Sequence, residues 1–436
     1  MDNLSKKTSV QIGQFCYKIA SELFPIHRSL SGPGVDKTLE IVKKYLDDVQ
    51  ISNVGSGERV FDWTVPDEWT FRRGYIEDSH GNRVLDTVDH NLHIVAYSEP
   101  VDKWVDLYEL QEHLYSIPEN PDLIPYVTSY YRRQWGFCMR NDQRERLADG
   151  RYHVVIDADL KPGNIKYGEI IIPGESEEEV ILSTYICHPS MGNNEVSGPS
   201  IAIAIGLWLL QRGNLRKTYR ILFLPETIGA IIYISRNLER LKEKTIAGYV
   251  LTCLGDDREY SFLPSRYGNT LADKVAMHIL EYIDPNYKKY TWLDRGSDER
   301  QFCAPGVDLP FASIMRTKYG EYPEYHTSGD NLDFISPAGL AGGFAAIKSA
   351  IEAIELYSYP IIKVLCEPQL GKYGLYPNIG TKENAKIVQA LSDTISFCDG
   401  KNSTLDIAEK INQPISEVGR IVRQLYSVGL IEFKPC

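Results

Sequence analysis

Residues 181–198 read ILSTYICHPSMGNNEVSG, and they are the most informative stretch of the chain. It opens on an apolar, β-branched run, which is typical of a buried strand. The strand leads to His188, and a polar loop then continues through Gly198 into helical apolar spacing over 201–210. Open α/β sheets hold their ligands where strands end in loops. We therefore expect His188 to belong to a binding or catalytic site.

Two later segments end in the same way. Residues 222–226 (LFLPE) form an apolar run that ends at Glu226, and residues 324–331 (EYHTSGDN) bring His326 to a loop. Two imidazoles and a carboxylate are ligands that a catalytic zinc ion prefers. Burial behind an apolar strand would raise the pKa of Glu226 toward the range of a general base. Each of these side chains also has an ordinary structural explanation, so the prediction rests on their combination.

Length, charge and cysteine usage narrow the class of protein. A chain of 436 residues is too long for one ordinary core, so we expect two or three domains. The net charge of −12 argues against nucleic-acid binding as the main function, since phosphate binding needs a basic face. The N-terminus lacks the apolar core of a signal peptide, no apolar run reaches about 18 residues, and the cysteines are scattered without CxxC pairs. We therefore expect a cytoplasmic protein with reduced thiols and no membrane contact.

The predicted secondary structure changes along the chain and indicates three domains. Residues 61–150 combine short β-type runs with turn signals, and they predict an inserted, mainly β domain. Before and after this insert, in 1–60 and 151–360, strands alternate with helices, which indicates a layered α/β core. Residues 365–436 hold three short helical patterns and a final strand, and they predict a winged helix-turn-helix domain.

The predicted winged helix-turn-helix carries few of the charges that DNA binding requires. Its third helix, over 414–426, has only Arg420 and Arg423 as cations, against Glu417. A DNA reader usually carries a denser basic face. This balance of charge favours contact with a protein partner, or with a second copy of the chain, over nucleic acid.

Three further side chains have more than one candidate role. Asp298 is suited to cap a helix, or to orient a ligand histidine from behind. Tyr325 would line a pocket wall or pack in the core. Arg28, in the polar glycine loop over 26–34, would donate to an anionic group of a substrate or lie exposed at the surface.

In their order along the chain, these segments resemble the zinc-dependent aminopeptidase superfamily of di-metal exopeptidases. The family pattern is a strand ending in His, an Asp-Asn-x-x-Ser-Gly-like loop, Glu-Glu-x-Gly, a strand-terminal Asp, Ser-Asp-x-x-x-Phe and a closing His-Thr-x-x-Asp. The corresponding segments here are, in order, His188, 194–198 (NEVSG), 226–229 (ETIG), 247–255, 297–302 (SDERQF) and 326–330 (HTSGD). The resemblance implies a three-layer, mixed-sheet α/β core, a zinc cofactor and hydrolysis of a peptide or amide bond, with Glu226 in the position of the general base.

A closer resemblance concerns the whole chain. An aminopeptidase-like subfamily combines this core with a C-terminal winged helix and an inserted β domain, represented here by residues 61–69 (FDWTVPDEW). Members of that subfamily are often linked with polysaccharide biosynthesis.

The departures from the family pattern concern the metal ligands. The position of the bridging aspartate holds Asn194, and that of the second glutamate holds Thr227. The strand-terminal aspartate falls near Thr252 or Cys253. With three anionic ligands missing, the resemblance implies one zinc ion rather than two.

That single ion would be held by His188, His326 and one carboxylate. Glu195 and Glu226 are both candidates for the carboxylate, and Cys253 could join as a thiolate. The sequence leaves this choice open.

Two hypotheses for the function follow. In the first, the chain is a zinc-dependent aminopeptidase-like hydrolase, and Glu226 takes a proton from the water that attacks an amide or peptide bond. Its substrate would be a small peptide or an amide-containing metabolite, contacted by Asn194, Arg28, Asp298 and Tyr325. In the second, the chain is a catalytically inactive descendant that binds a small ligand or a protein partner, in keeping with the link to polysaccharide biosynthesis.

Overall fold

The computed structural model describes residues 4–375 and 382–434. The chain divides into two compact units, one spanning Met1–Asp273 and Tyr287–Ala345, the other Lys274–Asn286 and Ala346–Cys436. Among the described residues, no helix is both long enough and apolar enough to cross a membrane.

The regular elements follow the chain in a largely alternating order. The α-helices are α1 (Ser9–Leu23), α2 (Pro33–Tyr45), α3 (Leu107–Glu112), α4 (Asn141–Glu145), α5 (Ser197–Arg212), α6 (Ile228–Lys244), α7 (Leu271–Ile283), α8 (Glu299–Phe302), α9 (Pro337–Leu356), α10 (Lys382–Ser396), α11 (Thr404–Lys410) and α12 (Ile415–Ser427). The strands are β1 (Gln50–Gly55), β2 (Arg59–Val60), β3 (Trp63–Thr64), β4 (Glu68–Asp78), β5 (Arg83–Asp86), β6 (Val101–Asp106), β7 (Leu114–Tyr115), β8 (Phe137–Cys138), β9 (Arg151–Lys161), β10 (Asn164–Ile172), β11 (Glu179–Tyr185), β12 (Thr218–Leu224), β13 (Thr245–Val250), β14 (Ser261–Leu263), β15 (Lys288–Lys289), β16 (Phe311–Met315), β17 (Pro360–Ile362) and β18 (Ile431–Phe433).

An eight-stranded mixed sheet lies in the first unit, in the order β1-β10-β12-β11-β13-β16-β14-β15. The four middle strands β12, β11, β13 and β16 run parallel, and β10 and β14 join them on either side by antiparallel pairing. All residues of β11 are buried, as expected of a parallel strand that packs on both faces. The predicted mixed α/β fold is confirmed.

The parallel strands bring distant segments of the sequence together. Tyr185 at the end of β11 pairs with Leu224 at the end of β12, and β13 ends beside them at Val250. Because the carboxyl ends of parallel strands share one edge of a sheet, the loops that carry His188 and Glu226 are neighbours.

The predicted strand over 247–255 is shorter in the structure, because β13 ends at Val250. The backbone N–H of Leu251 still donates to the carbonyl of Ser183 (2.7 Å). Cys253 then adopts a positive φ of 51°, which turns the chain away from the sheet, and its N–H donates to the carbonyl of Asn193 (3.0 Å).

A second sheet is four-stranded and antiparallel, in the order β5-β4-β9-β6. Trp69 of β4 is buried, its indole N–H donates to the carbonyl of Ser98 (2.9 Å), and its ring stacks on Phe71 and Tyr97. Such aromatic contacts bury a large apolar area in a small region. The strand pairs β2-β3 and β7-β8 and the short helices α3 and α4 complete this part of the chain.

The second unit contains α10, α11, α12 and the antiparallel pair β17-β18. The Ser403 side chain caps α11, and α12 buries one apolar face that includes Val418, Ile421 and Leu425. Three helices followed by a strand is the order that the sequence predicts for a winged helix-turn-helix. Within the predicted domain, residues 376–381 and 435–436 lie outside the described residues.

Candidate active site

The loops at the strand ends of the central sheet border a cavity of about 290 Å³. Two histidines, one carboxylate, one arginine and several aromatic rings share its wall. The described residues that line it are Leu30, Trp63, Tyr126, Thr128, Tyr130, Tyr131, Cys187, His188, Glu226, Thr227, Ile228, Arg300 and His326. The structure therefore brings His188, Glu226 and His326 together in one place.

His188 is buried, and both of its ring nitrogens face carboxylates. Nδ1 lies 2.9 Å from Oε2 of Glu195, and Nε2 lies 3.6 Å from Oε2 of Glu226. Burial alone would lower the pKa of His188, but the neighbouring Cys187 and Glu195 raise it well above its usual range. A carboxylate on Nδ1 fixes the orientation of the ring and leaves Nε2 to face the cavity.

Glu195 and Arg28 form a buried ion pair behind His188. The exposed fraction of each residue is 1%, and Arg28 Nε lies 3.7 Å from Glu195 Oε1. Arg28 also donates to the carbonyls of His188 (3.1 Å) and Leu23 (2.6 Å). The residues that line the cavity do not include Arg28, so its charge interacts with groups inside the protein and not with a ligand.

His326 enters the cavity from the loop before α9. Its ring centroid lies 5.5 Å from that of His188, and its other face stacks on Tyr325 at 3.9 Å. Burial, together with the charge of His188, lowers the pKa of His326 to about 3. The imidazole of His326 is therefore neutral at physiological pH, which is the form that binds a metal ion. Tyr325 supports this ring and is not among the residues that line the cavity.

Glu226 lies at the start of a strained turn between β12 and α6. Thr227 has φ 65° and ψ −76°, and the N–H of Ile228 donates to the carbonyl of Glu226 (2.8 Å). These values describe a γ-turn of the rare form that is unfavourable for residues other than glycine. Burial raises the pKa of Glu226, while the charges of His188 and Arg300 oppose that rise.

Asp298 and Arg300 hold the strained turn in place. Asp298 Oδ1 accepts the N–H of Thr227 (2.7 Å), and Arg300 Nη2 donates to Thr227 Oγ1 (2.7 Å). Asp298 is fully buried, and burial and the charge of Glu226 raise its pKa well above the usual range. Asp298 thus acts on the backbone next to Glu226 and does not line the cavity.

Asn194 and Cys253, which stand near metal-ligand positions of the family pattern, make other contacts within the protein. The N–H of Asn194 donates to Asp330 Oδ2 (2.9 Å), and its amide nitrogen donates to the hydroxyl of Tyr185 (2.9 Å). Cys253 is buried 3.8 Å from the hydroxyl of Tyr322, and burial raises its pKa to about 12. At neutral pH Cys253 is therefore a thiol rather than a thiolate ligand.

Among the described residues, one group of potential metal ligands is closely spaced. The donor atoms of Cys187, His188 and Glu195 lie within 4.8 Å of one another. Two of the three are already engaged, since Glu195 contacts both His188 and Arg28. On the cavity side, an ion would meet the second nitrogen of His188 and the neutral ring of His326, with the carboxylate of Glu226 beside them.

Sequence reasoning missed most of the aromatic wall and the arginine. Tyr126 and Tyr130 join through their hydroxyls (2.7 Å), and the ring of Tyr126 lies against both histidines, with centroids 5.1 and 5.2 Å away. The signals were present as an aromatic cluster over 130–137 and as the arginine within SDERQF. Neither signal reveals from sequence alone which side chain reaches the cavity.

Comparison with known families now identifies the chain. The family model described as "Domain of unknown function (DUF4910)" matches residues 17–356, and a winged helix-turn-helix model matches residues 358–433. This chain belongs to the DUF4910 family. A curated relative in Clostridium acetobutylicum is 40% identical over 99% of this DUF4910 protein and 100% of its own length, and it is provisionally named a polysaccharide biosynthesis protein with an aminopeptidase-like domain.

Solved structures show the same relationships for the DUF4910 protein. A crystal structure of a provisionally named peptidase from Clostridium acetobutylicum is 40% identical, covers 98% of this chain and 97% of its own, and has a TM-score of 0.91. A zinc aminopeptidase from Bacillus subtilis is 13% identical, covers 78% of this chain and 95% of its own, and has a TM-score of 0.57. This second similarity establishes an aminopeptidase-like fold.

Proposed function

We propose that this DUF4910 protein hydrolyses an amide or peptide bond, with Glu226 as the proton acceptor. The observation that carries the proposal is the convergence of Glu226, His188 and His326 on one cavity. The names of the Clostridium relatives and the aminopeptidase-like fold support a peptidase-like activity. The raised pKa of Glu226 is consistent with a group that takes up a proton and then releases it.

The two imidazoles of the cavity, His188 and His326, would hold one divalent ion, and zinc is an ion that imidazole ligands favour. The contact with Glu195 turns Nε2 of His188 to the cavity, where a bound ion would displace the proton that the raised pKa keeps on this ring, and His326 is neutral. When bound, the ion would lower the pKa of a water molecule and polarise the carbonyl of the substrate. A second ion lacks support, because Asn194 and Thr227 present no carboxylate and Cys253 is a thiol.

The side chains of the protein perform the other tasks of the proposed reaction. Glu226 accepts the proton of the attacking water and delivers it to the leaving amine. Glu195 keeps the ring of His188 in a fixed orientation from behind. The strained turn at Thr227 directs Glu226 toward the cavity, and the tyrosine wall limits the access of water.

The test separates metal binding from catalysis. Elemental analysis of protein purified without chelators or a histidine tag should find about one zinc ion per chain, and His188→Ala should lose it, since the remaining imidazole alone binds weakly. His80→Ala, at an exposed histidine, is the matched control and should keep the ion. Glu226→Gln should keep the zinc and lower kcat on a hydrolysed amide by about 10²–10⁴-fold.

Two results would contradict the proposal. One is the absence of metal after incubation with zinc, combined with no hydrolysis of any peptide or acyl amide. The other is undiminished hydrolysis in Glu226→Gln. The first would favour the second hypothesis, a ligand-binding protein that has lost catalysis together with the carboxylates at positions 194 and 227. The second would mean that a group other than Glu226 accepts the proton.

A further inference from the structure

Arg300 lies in the cavity wall without a carboxylate of the described residues at ion-pair distance, although its charge acts on Glu226 and Asp298 from farther away. Within the described part of the chain, no carboxylate lies within the 4.0 Å ion-pair distance of its guanidinium group. Its Nη2 donates to Thr227 Oγ1, whereas its Nε is buried without a hydrogen-bond partner. A guanidinium group in a cavity wall that has no carboxylate at ion-pair distance is well suited to bind an incoming anion.

The other charges of the cavity also favour an anion over a cation. Of the described lining residues, Glu226 alone carries a carboxylate, and the proposed function assigns that group to proton transfer. Recognition of a free amino terminus would need carboxylates that the wall does not offer. The Arg300 guanidinium is therefore the cationic side chain of the described lining that takes no part in the proposed metal site, and it attracts negative groups.

The rest of the cavity suits an apolar group of small size. Trp63 and Tyr131 remain 37% and 54% exposed, and their ring centroids lie 5.5 Å apart in an edge-to-face arrangement. Exposed aromatic rings at a cavity mouth offer an apolar contact surface to a ligand. A volume of about 290 Å³ is at the lower end for ligand pockets and fits a small molecule better than a long peptide.

We infer that the substrate is a small amide that carries a carboxylate, which Arg300 binds while an apolar group packs against Trp63 and Tyr131. An acylated amino acid and a dipeptide recognised through its carboxyl end are examples of this class. The inference rests on the proposed function for the reaction, in which water adds across the C–N bond to give a carboxylic acid and an amine. Arg300 is a specificity-determining residue, and the amino group of the substrate contributes little to recognition.

Binding of two matched probes tests the role of Arg300 in carboxylate recognition without any hydrolysis. The probes are 3-phenylpropanoate and 3-phenylpropan-1-ol, which share the apolar group, differ in the carboxylate and contain no amide. Calorimetric titration of the wild-type protein should find the carboxylate bound at least about tenfold more tightly than the alcohol. In Arg300→Gln that ratio should fall to about one, with the affinity for the alcohol unchanged, while Arg300→Lys should keep part of the preference.

Arg295→Gln is the matched control, because Arg295 is an exposed arginine near Arg300 and does not line the cavity. It should keep the full preference for the carboxylate. Unchanged binding of the alcohol by Arg300→Gln shows that the cavity is still folded. Equal binding of the two probes by the wild type, a preference that survives in Arg300→Gln, or no binding of either probe would each overturn the inference. Because neither probe is cleaved, failure of the proposed hydrolysis would show separately, in the activity of Glu226→Gln.

Discussion

The two sides of the cavity balance their charges differently. On the His188 side, Arg28, Glu195 and His188 form a buried chain of opposite charges, in which Arg28 Nη2 and Glu195 Oε1 make no hydrogen bond. On the Thr227 side, Arg300 has no carboxylate partner within the described chain, and the backbone beneath it is strained. The contacts of the first side therefore stabilise the protein and fix the geometry of His188. On the second side, the charge of Arg300 is available to interact with a ligand, and the turn beside it is strained.

The largest effect on stability is expected when the buried ion pair on the His188 side is broken. Arg28→Ala leaves Glu195 as a buried carboxylate without its arginine, and breaking a buried pair in this way costs about 3–5 kcal/mol. We expect a loss of that size in the free energy of unfolding, measured by urea denaturation.

Arg72→Ala is the control for the ion pair, because Arg72 makes close contacts with Asp157 and Asp159 on an exposed surface. Exposed pairs contribute little, so its unfolding curve should hardly move. The double variant Arg28→Met/Glu195→Gln, which removes both charges, should lose less stability than Arg28→Ala. Equal small losses in Arg28→Ala and Arg72→Ala would mean that the buried ion pair contributes no more stability than an exposed one.

A smaller effect is expected where Glu195 meets His188. Glu195→Gln replaces a carboxylate behind the imidazole with a neutral amide and should weaken zinc binding by about 10–100-fold. Competition with a chromogenic chelator measures this affinity, and Glu321→Gln, at an exposed glutamate, should leave it unchanged. Complete loss of zinc in Glu195→Gln would instead make Glu195 a direct ligand of the ion.

The smallest effect is expected on the Thr227 side. Compared with Thr227→Ala, which loses the same hydrogen bond to Arg300 but keeps the strained φ of 65°, Thr227→Gly should have a free energy of unfolding about 1 kcal/mol higher, although glycine also gains entropy in the unfolded chain. The same change frees Arg300 from its hydrogen bond and should reduce the preference for 3-phenylpropanoate. Asn214→Gly, at an exposed residue with φ 46°, should change neither quantity. A Thr227→Gly variant that is no more stable than Thr227→Ala would show that the turn is not strained.

Much of the fold could be predicted because its strands and helices carry strong patterns. The apolar run over 180–185 predicts β11, and the helical spacing over 199–212 predicts most of α5. β1 has no such signal, because its residues alternate poorly and only Val54 is buried. β13 ends earlier than predicted because the backbone turns at Cys253, and hydrophobicity does not indicate such a turn.

Part of the candidate site could also be read from the sequence. His188, Glu226 and His326 follow strand ends or lie in polar loops, and the structure brings them to one cavity. Arg28 could not be assigned, because a loop arginine is usually exposed and this one is buried against Glu195. Arg300 and the tyrosine wall depend on contacts between segments far apart in the chain, which periodicity and spacing do not report.

The hydrogen bond between Arg300 and Thr227 also constrains how this protein could change over evolution. A glutamate at position 227 would have the Arg300 guanidinium as its nearest cation and would pair with it before any second metal ion. That pairing would neutralise the charge available to a substrate carboxylate, so the first mutation would lose one function without gaining another. A route to a two-metal site therefore requires the replacement of Arg300 before, or together with, Thr227, and the two positions are expected to vary jointly among related sequences.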